Sequence, residues 1–255
     1  MSERGGLVTR TDLDAYQPAW LAPLESEYMG SRVLTRGGLT TPLGDMLAQL
    51  PPLRTASPSE RALTLARMLV ALPYSGDPEP LGDTTNLVTA DRESNACVVT
   101  TSLGLGSGDY LPGLDIHLNS MLGEADLLVN PLEPGRRMES MMAPTLVLEG
   151  EKPLFAAGAA GGTRLRPALV QVLAGILDEG RELQEAVDRP RLHSTGELVH
   201  AEPGFGEGVL EALEAAGYEL RAWTTLHHYF GGVSLIGRSG GAADPRRSGA
   251  ALAQP

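Results

Sequence analysis

Gly82-Asp83-Thr84-Thr85-Asn86-Leu87-Val88 is the stretch on which the reading of this chain turns. Before it lies Pro73-Tyr74-Ser75-Gly76-Asp77-Pro78-Glu79-Pro80, whose proline and glycine content reads as a linker. From Thr84 the composition becomes β-rich. Residues 84–90 and 96–101 flank the polar turn Asp91-Arg92-Glu93-Ser94-Asn95 and predict a hairpin. A threonine hydroxyl is a weak nucleophile, but an N-terminal threonine carries its own base. Its α-amine, with an ordinary pKa of about 7.7–8.0, is usable at neutral pH. Thr84 is internal, so it acquires that amine only if the Asp83–Thr84 bond is cut. A linker before it and a strand after it suit self-cleavage, in which threonine attacks its preceding carbonyl and the ester is hydrolysed. Taken alone, Thr84-Thr85 reads first as a strand edge, because threonine is a good strand former.

Working outward, residues 1–83 read as loosely organised. Thr11-Asp12-Leu13-Asp14 suits a turn or helix start, residues 31–35 have strand character, and Arg36-Gly37-Gly38 reads as a turn. Residues 42–50 suit a helix. A second helix opens with Ser57 as N-cap and Pro58 at its first position and runs to about Leu72. After the first hairpin come a glycine-rich loop at 104–113 and a short strand at 115–119. Residues 144–148 and 153–157 flank Glu149-Gly150-Glu151-Lys152 as a second hairpin. A small-residue loop at 158–162 leads into a helix at 164–178, where Leu165, Ala168, Leu169, Val172, Leu173, Ile176 and Leu177 fall at helical spacing. A further helix at 207–216 is closed by Gly217, and residues 229–237 form a last strand. Hairpins, then helices, then more strand predict an α+β fold.

The 255 residues, 42% hydrophobic, suffice for one large domain or two small ones with a substantial core. A net charge of −12 argues against nucleic acid, whose binding needs basic stripes, and gives no support for docking on an anionic membrane. A single cysteine, Cys97, excludes an intramolecular disulfide and a cysteine-based zinc or iron–sulfur site; its apolar run predicts a small buried side chain. The five histidines form no His-Glu-x-x-His pair. Leu105 and Asp109 deny Ser107 a nucleophile elbow, Asp109 breaks a dinucleotide glycine motif begun at Gly104, and residues 158–162 lack a phosphate-loop ending. Met1-Ser2-Glu3-Arg4-Gly5-Gly6 begins no signal peptide, and the apolar runs at 65–72 and 168–177 are too short to span a bilayer. The chain as written is therefore expected in the cytoplasm.

Order along the chain adds a specific resemblance. Gly82-Asp83-Thr84-Thr85 is followed by Asp91 and Asn95-Ala96, then Thr100-Thr101-Ser102-Leu103, then Leu118-Asn119-Ser120-Met121-Leu122-Gly123-Glu124. Next come Arg137-Met138-Glu139-Ser140-Met141-Met142-Ala143-Pro144-Thr145, Gly158-Ala159-Ala160-Gly161-Gly162, Arg189-Pro190-Arg191-Leu192-His193 and Ala243-Asp244-Pro245-Arg246. In this order the segments resemble the small subunit of γ-glutamyltranspeptidases over residues 82–250. Gly5-Gly6-Leu7-Val8-Thr9 with Asp12-Leu13 and Tyr16, then Tyr28-Met29-Gly30, resemble the end of that family's large subunit.

The resemblance implies an N-terminal-nucleophile hydrolase with an αββα sandwich, incomplete on the large-subunit side. Residues 1–83 would be a large-subunit remnant with linker, and residues 84–255 the small-subunit catalytic region. Thr84 would be the nucleophile, Ser102 its supporting hydroxyl, and the N–H groups of Gly161 and Gly162 the oxyanion hole. Asn119 and Glu124 would hold the donor α-amino group, Ser140 its α-carboxylate, with Met141 beside it. No metal or organic cofactor is needed. The partners would be a glutathione-like γ-glutamyl donor, water or an amino acid as acceptor, and a separate large-subunit chain. Family members are often exported. The sequence also departs from the family. No arginine in residues 1–83 matches the one that grips the donor carboxylate. Met141 replaces a serine, Gly104 an asparagine, and Gly123 an aspartate, leaving Glu124 as an offset substitute. Two alternatives therefore stand beside γ-glutamyl transfer or hydrolysis: a related acylase with a glutaryl or poly-γ-glutamate donor, and an uncut homologue acting as a binding module.

Overall fold

Helix and strand signals along the chain build a six-stranded main sheet with helices on one face and a hairpin on the other. The computed structural model describes residues 5–6, 8–37, 42–72, 83–124, 127–128, 130–131 and 133–253. The linker at 73–80, Gly38 and Gly82 lie outside the described residues. In chain order the elements are α1 (Arg10–Ala15), β1 (Leu24–Tyr28), β2 (Ser31–Thr35), α2 (Leu43–Ala48), α3 (Pro58–Val70), β3 (Asp83–Ala90) and β4 (Ala96–Gly104). Then follow β5 (Tyr110–Leu111), β6 (Ile116–His117), β7 (Thr145–Glu149), β8 (Lys152–Ala160), α4 (Leu165–Leu177), α5 (Leu183–Asp188), β9 (Leu192–Thr195) and β10 (Leu198–Ala201). The last are α6 (Glu207–Ala215), β11 (Glu219–Ala222), β12 (Gly232–Gly237) and β13 (Gly240–Ala243).

The main sheet has six antiparallel strands in the order β1-β2-β7-β8-β12-β13. Strand alternation gives it two distinct faces. Val33, Val147, Phe155, Ala157, Ala159, Val233 and Leu235 point into the core. Over them lies α4, with Leu165, Leu169 and Leu173 fully buried; each such leucine contributes about 2 kcal/mol of burial. Helices α2 and α3 add Leu43, Met46, Leu47, Leu65 and Leu69 to the same core, so the segment before Thr84 shares one interior with the segment after it. The α3 start is as expected: Ser57 accepts from the Glu60 N–H, and the Glu60 carboxylate accepts from the Ser57 N–H.

The other face of the sheet carries the hairpin β3–β4, which packs on β8. Its burial alternates residue by residue. Asn86, Val88, Val98, Thr100 and Ser102 turn inward, while Leu87, Val99 and Leu103 remain 58%, 48% and 39% exposed. A lone two-stranded hairpin is marginal in water, so this one depends on its face against the sheet. Cys97 belongs to the outward row and is exposed, which corrects the expectation that it is buried. Its apolar neighbours Val98 and Val99 lie on opposite faces, and a run of apolar residues in a strand does not say which face is covered.

Other boundaries shift. Residues 158–160 belong to β8 and not to a loop. The last strand begins at Gly232, because His228–Phe230 form a 3-10 turn, and β13 follows it. Strands β9, β10 and β11 form a separate sheet, in which β10 and β11 are parallel and joined through α6. Among the described residues no helix is long and apolar enough to cross a membrane.

Candidate active site

The site is built at the open end of the hairpin. Thr84 and Ser102 are register partners across β3 and β4, so their side chains share the inward face. The Thr84 hydroxyl donates to Ser102 Oγ at 3.1 Å. The Gly104 N–H donates to the same oxygen at 3.1 Å, fixing its position. The register shifts between Asp83 and Thr84, a bulge at the very bond whose cleavage would free the threonine amine. Bulges of this kind re-aim a side chain beside active sites. Two residues on, Asn86 Oδ1 accepts from the Thr100 hydroxyl at 2.8 Å, and the Asn86 amide lies directly over Gly158 of β8. A Cβ on Gly158 would collide with that amide. Gly158 thus lets the hairpin settle on the sheet.

At its last residue, Gly104, β4 gives way to a turn, with φ +62°. A Cβ here would collide with Glu124 Oε1 and lie 2.8 Å from Ser120 Oγ. The missing side chain is therefore the space into which the Glu124 carboxylate fits, one residue from the Leu103–Ser102 strand end. Ser120 ties the segments together: its N–H donates to Leu103 O at 2.9 Å, and its Oγ accepts from the Leu105 N–H at 2.9 Å. Sequence reasoning gave Ser120 no role; its place between Asn119 and Met121 was the only signal. Asn119 is exposed and its Oδ1 accepts from the Met121 N–H at 3.0 Å, where the 3-10 turn Met121–Gly123 begins. Ser140 is buried, with its Oγ accepting from the Met142 N–H at 3.2 Å, and Met141 is half-buried. The hydroxyl contact of Ser140 is local, while its carbonyl accepts from the Arg36 guanidinium, 104 positions away in sequence, at 3.5 Å.

Gly161 and Gly162 follow the end of β8, with φ of +138° and +57°. Gly161 has no room for a side chain, since a Cβ would meet Gly231 Cα at 2.8 Å. The turn Gly162–Arg164 then leads into α4, with the Arg164 N–H donating to Gly161 O at 3.1 Å. A glycine turn at the head of a helix is suited to presenting backbone N–H groups to negative charge. Sequence reasoning missed Arg164, which is 2% exposed beneath this turn.

The segments Arg189–His193 and Ala243–Arg246, distant in sequence, meet behind Gly231. Arg191 pairs with Asp244 at 2.6 Å, and Arg246 with Asp244 at 3.1 Å and Glu202 at 2.5 Å, all buried. Arg191 also donates to the carbonyls of Phe230 and Gly231, at 3.4 and 3.3 Å. This anchors the backbone on which Gly161 packs. Burial alone would raise the Asp244 pKa, but Arg191 and Arg246 outweigh it and hold the carboxyl below its ordinary value. Nearby His193 is buried, and neither ring nitrogen has a hydrogen-bond partner among the described residues. Burial, with Arg164 and His200 adding to it, pushes its pKa down to about 3. Among the described residues no group of three or more His, Cys, Asp or Glu could hold a metal ion.

Helices, an antiparallel sheet and a threonine-led second sheet, stacked in that order, define an N-terminal-nucleophile hydrolase of α+β class. Within that class the chain belongs to the Gamma-glutamyltranspeptidase family, whose model matches residues 48–254. A glutathione hydrolase proenzyme of Bacillus subtilis (strain 168) is 28% identical over 180 residues, 67% of this chain and 31% of that protein. The cephalosporin acylase from Bacillus halodurans has the same fold, with a TM-score of 0.83 at 22% identity over 100% of this chain and 57% of its own. A gamma-glutamyltranspeptidase from Pseudomonas nitroreducens, solved in complex with L-DON, gives a TM-score of 0.59 at 26% identity, over 67% of this chain and 100% of that one. The chain thus spans about a third of the Bacillus subtilis relative and little more than half of the acylase chain.

Proposed function

We propose that the chain is cleaved before Thr84 and that the released threonine transfers or hydrolyses γ-glutamyl groups. The observation that carries this is the Thr84–Ser102 hydroxyl pair at 3.1 Å, set at a bulge, with the Glu124 carboxylate against Gly104, whose N–H holds the Ser102 oxygen. In maturation Thr84 Oγ attacks the Asp83 carbonyl, and water hydrolyses the resulting ester. Residues 1–83 and 84–255 then become separate pieces, matching the two-part reading of the sequence. In turnover Thr84 Oγ adds to the γ-carbonyl carbon of a glutathione-like donor and its proton passes to the Thr84 amine. The carbonyl oxygen gains negative charge facing the N–H groups of Gly161 and Gly162. Collapse expels the donor amine, which takes up the proton. Water or an amino acid then attacks the threonine ester and restores the hydroxyl.

Ser102 orients the Thr84 hydroxyl. Glu124, with Asn119, pairs with the donor α-ammonium; Ser140 donates to its α-carboxylate, with Met141 beside it. The bare outer row of Leu87, Val99 and Leu103 supports a further chain over the hairpin, in the place of the family's large subunit. That chain would supply the arginine for the donor carboxylate.

One observation favours a second donor class. Gly123 stands where the family has the aspartate for the donor α-amino group, with Glu124 only an offset substitute, which weakens recognition of that amine and favours by comparison a glutaryl donor, which keeps the carboxylate and lacks the amine. Intact mass after expression tests the first step: pieces ending at residue 83 and beginning at residue 84 are expected. A chain that stays uncut, with Thr84→Ala behaving identically, leaves only the binding-module reading. Release of a chromogenic amine from γ-glutamyl and glutaryl amides separates the donors, and preference for glutaryl would replace the γ-glutamyl assignment.

A further inference from the structure

Arg164 stands where a cation is disfavoured. It places a cation at the N-terminal end of α4, where the helix dipole is already positive, and it buries that cation at 2% exposure. Residues that violate local rules in a well-packed structure concentrate at functional positions. The surroundings of Arg164 indicate which function. Its N–H donates to Gly161 O, and a Cβ on Gly161 would meet Arg164 Cβ at 3.7 Å. A Cβ on Gly162 would find Arg164 Nη1 at 3.9 Å as its nearest neighbour. Both the backbone and the guanidinium of Arg164 therefore lie against the glycine turn.

The guanidinium is held in that pose. Nη1 donates to Thr163 Oγ1 at 3.1 Å, and the guanidinium carbon stands 4.4 Å from the centre of the Tyr229 ring. Tyr229 is itself boxed by Trp223 and His200, both at 4.9 Å, and by His193 at 5.6 Å. The ring cannot withdraw without repacking that cluster. Helix dipole and guanidinium then add, placing positive potential behind the Gly161–Gly162 turn in a region of low dielectric.

We propose that Arg164 is a positioning residue of this turn: it props the Gly161–Gly162 backbone and backs it with positive charge. The inference rests on the reading of these two glycines as the oxyanion hole. When Thr84 Oγ adds to the carbonyl carbon, the C=O π pair moves onto oxygen, and the preset turn receives that charge without rearranging. The same turn would serve self-cleavage.

The test uses the full chain with Arg164→Met, which removes charge at similar length, and Arg164→Lys, which keeps the charge but not the planar stack. Two readouts are taken: kcat and KM on a γ-glutamyl anilide, and amide hydrogen exchange over residues 158–168. In Arg164→Met, kcat is expected to fall about 10–100-fold with KM within about threefold, less than for loss of an oxyanion donor itself. Exchange at the turn should rise about tenfold, with β7 and β12 unchanged. Arg164→Lys should recover most of kcat. Parental kcat and parental exchange in Arg164→Met overturn the proposal, as does an equal loss in both variants with KM rising in step. Should Arg164→Met fail to fold, Tyr229→Leu, which frees the guanidinium, must loosen exchange at the turn; parental exchange overturns the proposal. A parent chain that stays uncut and has no activity on any donor refutes the functional reading, while the exchange measurement still decides the role of Arg164.

Discussion

The hydroxyls of Thr84 and Ser102 face each other across the β3–β4 hairpin at 3.1 Å, and the Gly104 N–H holds the Ser102 oxygen from the other side. Ser102→Ala removes the acceptor and leaves Thr84 free to rotate. Self-cleavage and turnover should both slow by about 10–100-fold, the usual range for a lost orienting contact. Thr84→Ser should still be cut, and Thr84→Ala should not. A time course of intact mass measures all three.

Gly104 and Glu124 compete for one space. Gly104→Ala meets a positive φ of +62° and a collision with the Glu124 carboxylate. Destabilisation of about 1–3 kcal/mol is expected from the backbone conformation, together with displacement of Glu124. Urea unfolding should report the first. A rise in KM for a γ-glutamyl donor, with no matching rise for a glutaryl donor, should report the second.

Gly158 and Asn86 are coupled in the same way between the two sheets. Gly158→Ala should destabilise the fold by about 1–3 kcal/mol, because its Cβ collides with the Asn86 amide. Asn86→Ala made in that background should restore part of the loss. A double-mutant cycle read by denaturation would refute the contact if the two effects simply added.

The buried group of Arg191, Asp244, Arg246 and Glu202 should be sensitive to loss of any one member. Asp244→Ala leaves two guanidinium groups without their shared carboxylate and should cost about 3–5 kcal/mol. Raising the salt concentration should do little to the intact network, because its charges are shielded from solvent. An Asp244→Ala midpoint within error of the parent would contradict this.

His193 gives a pH signature. Its folded pKa lies near 3, below the ordinary 6.5, so the unfolded chain takes up a proton that the folded chain refuses. Stability from this group is complete above pH 6.5 and falls as the pH drops from there toward 3. The loss should be on the order of 2 kcal/mol at pH 5. His193→Phe should flatten the pH dependence of the unfolding midpoint between pH 7 and 5. An unchanged slope would place the titration elsewhere.

Much of the framework was legible in the sequence, because it is written in short-range signals. The polar turn 91–95 between β-rich runs marks the first hairpin, the Ser57–Glu60 capping box starts α3, and the spacing of Leu165, Leu169 and Leu173 marks α4. Elements without such signals were missed. Strand β1 carries two glutamates and buries only Tyr28, and β9, β10 and β11 have four residues each, too few to show a period.

The placing of Thr84 between a proline-rich segment and a β-rich run is a local property, and the sequence by itself determined it, along with the α+β class and the family's order of motifs. Only the tertiary structure decided which of those motif residues meet. It set Ser120 and Glu124 against Gly104, laid Asn86 on Gly158, placed Arg164 under the glycine turn, and joined Arg191 to Asp244 across 53 positions. The physical reason is that backbone propensities act between neighbours in sequence. Close packing and buried charge pairing act between neighbours in space, and those arise only once the sheet, its helices and the hairpin are stacked.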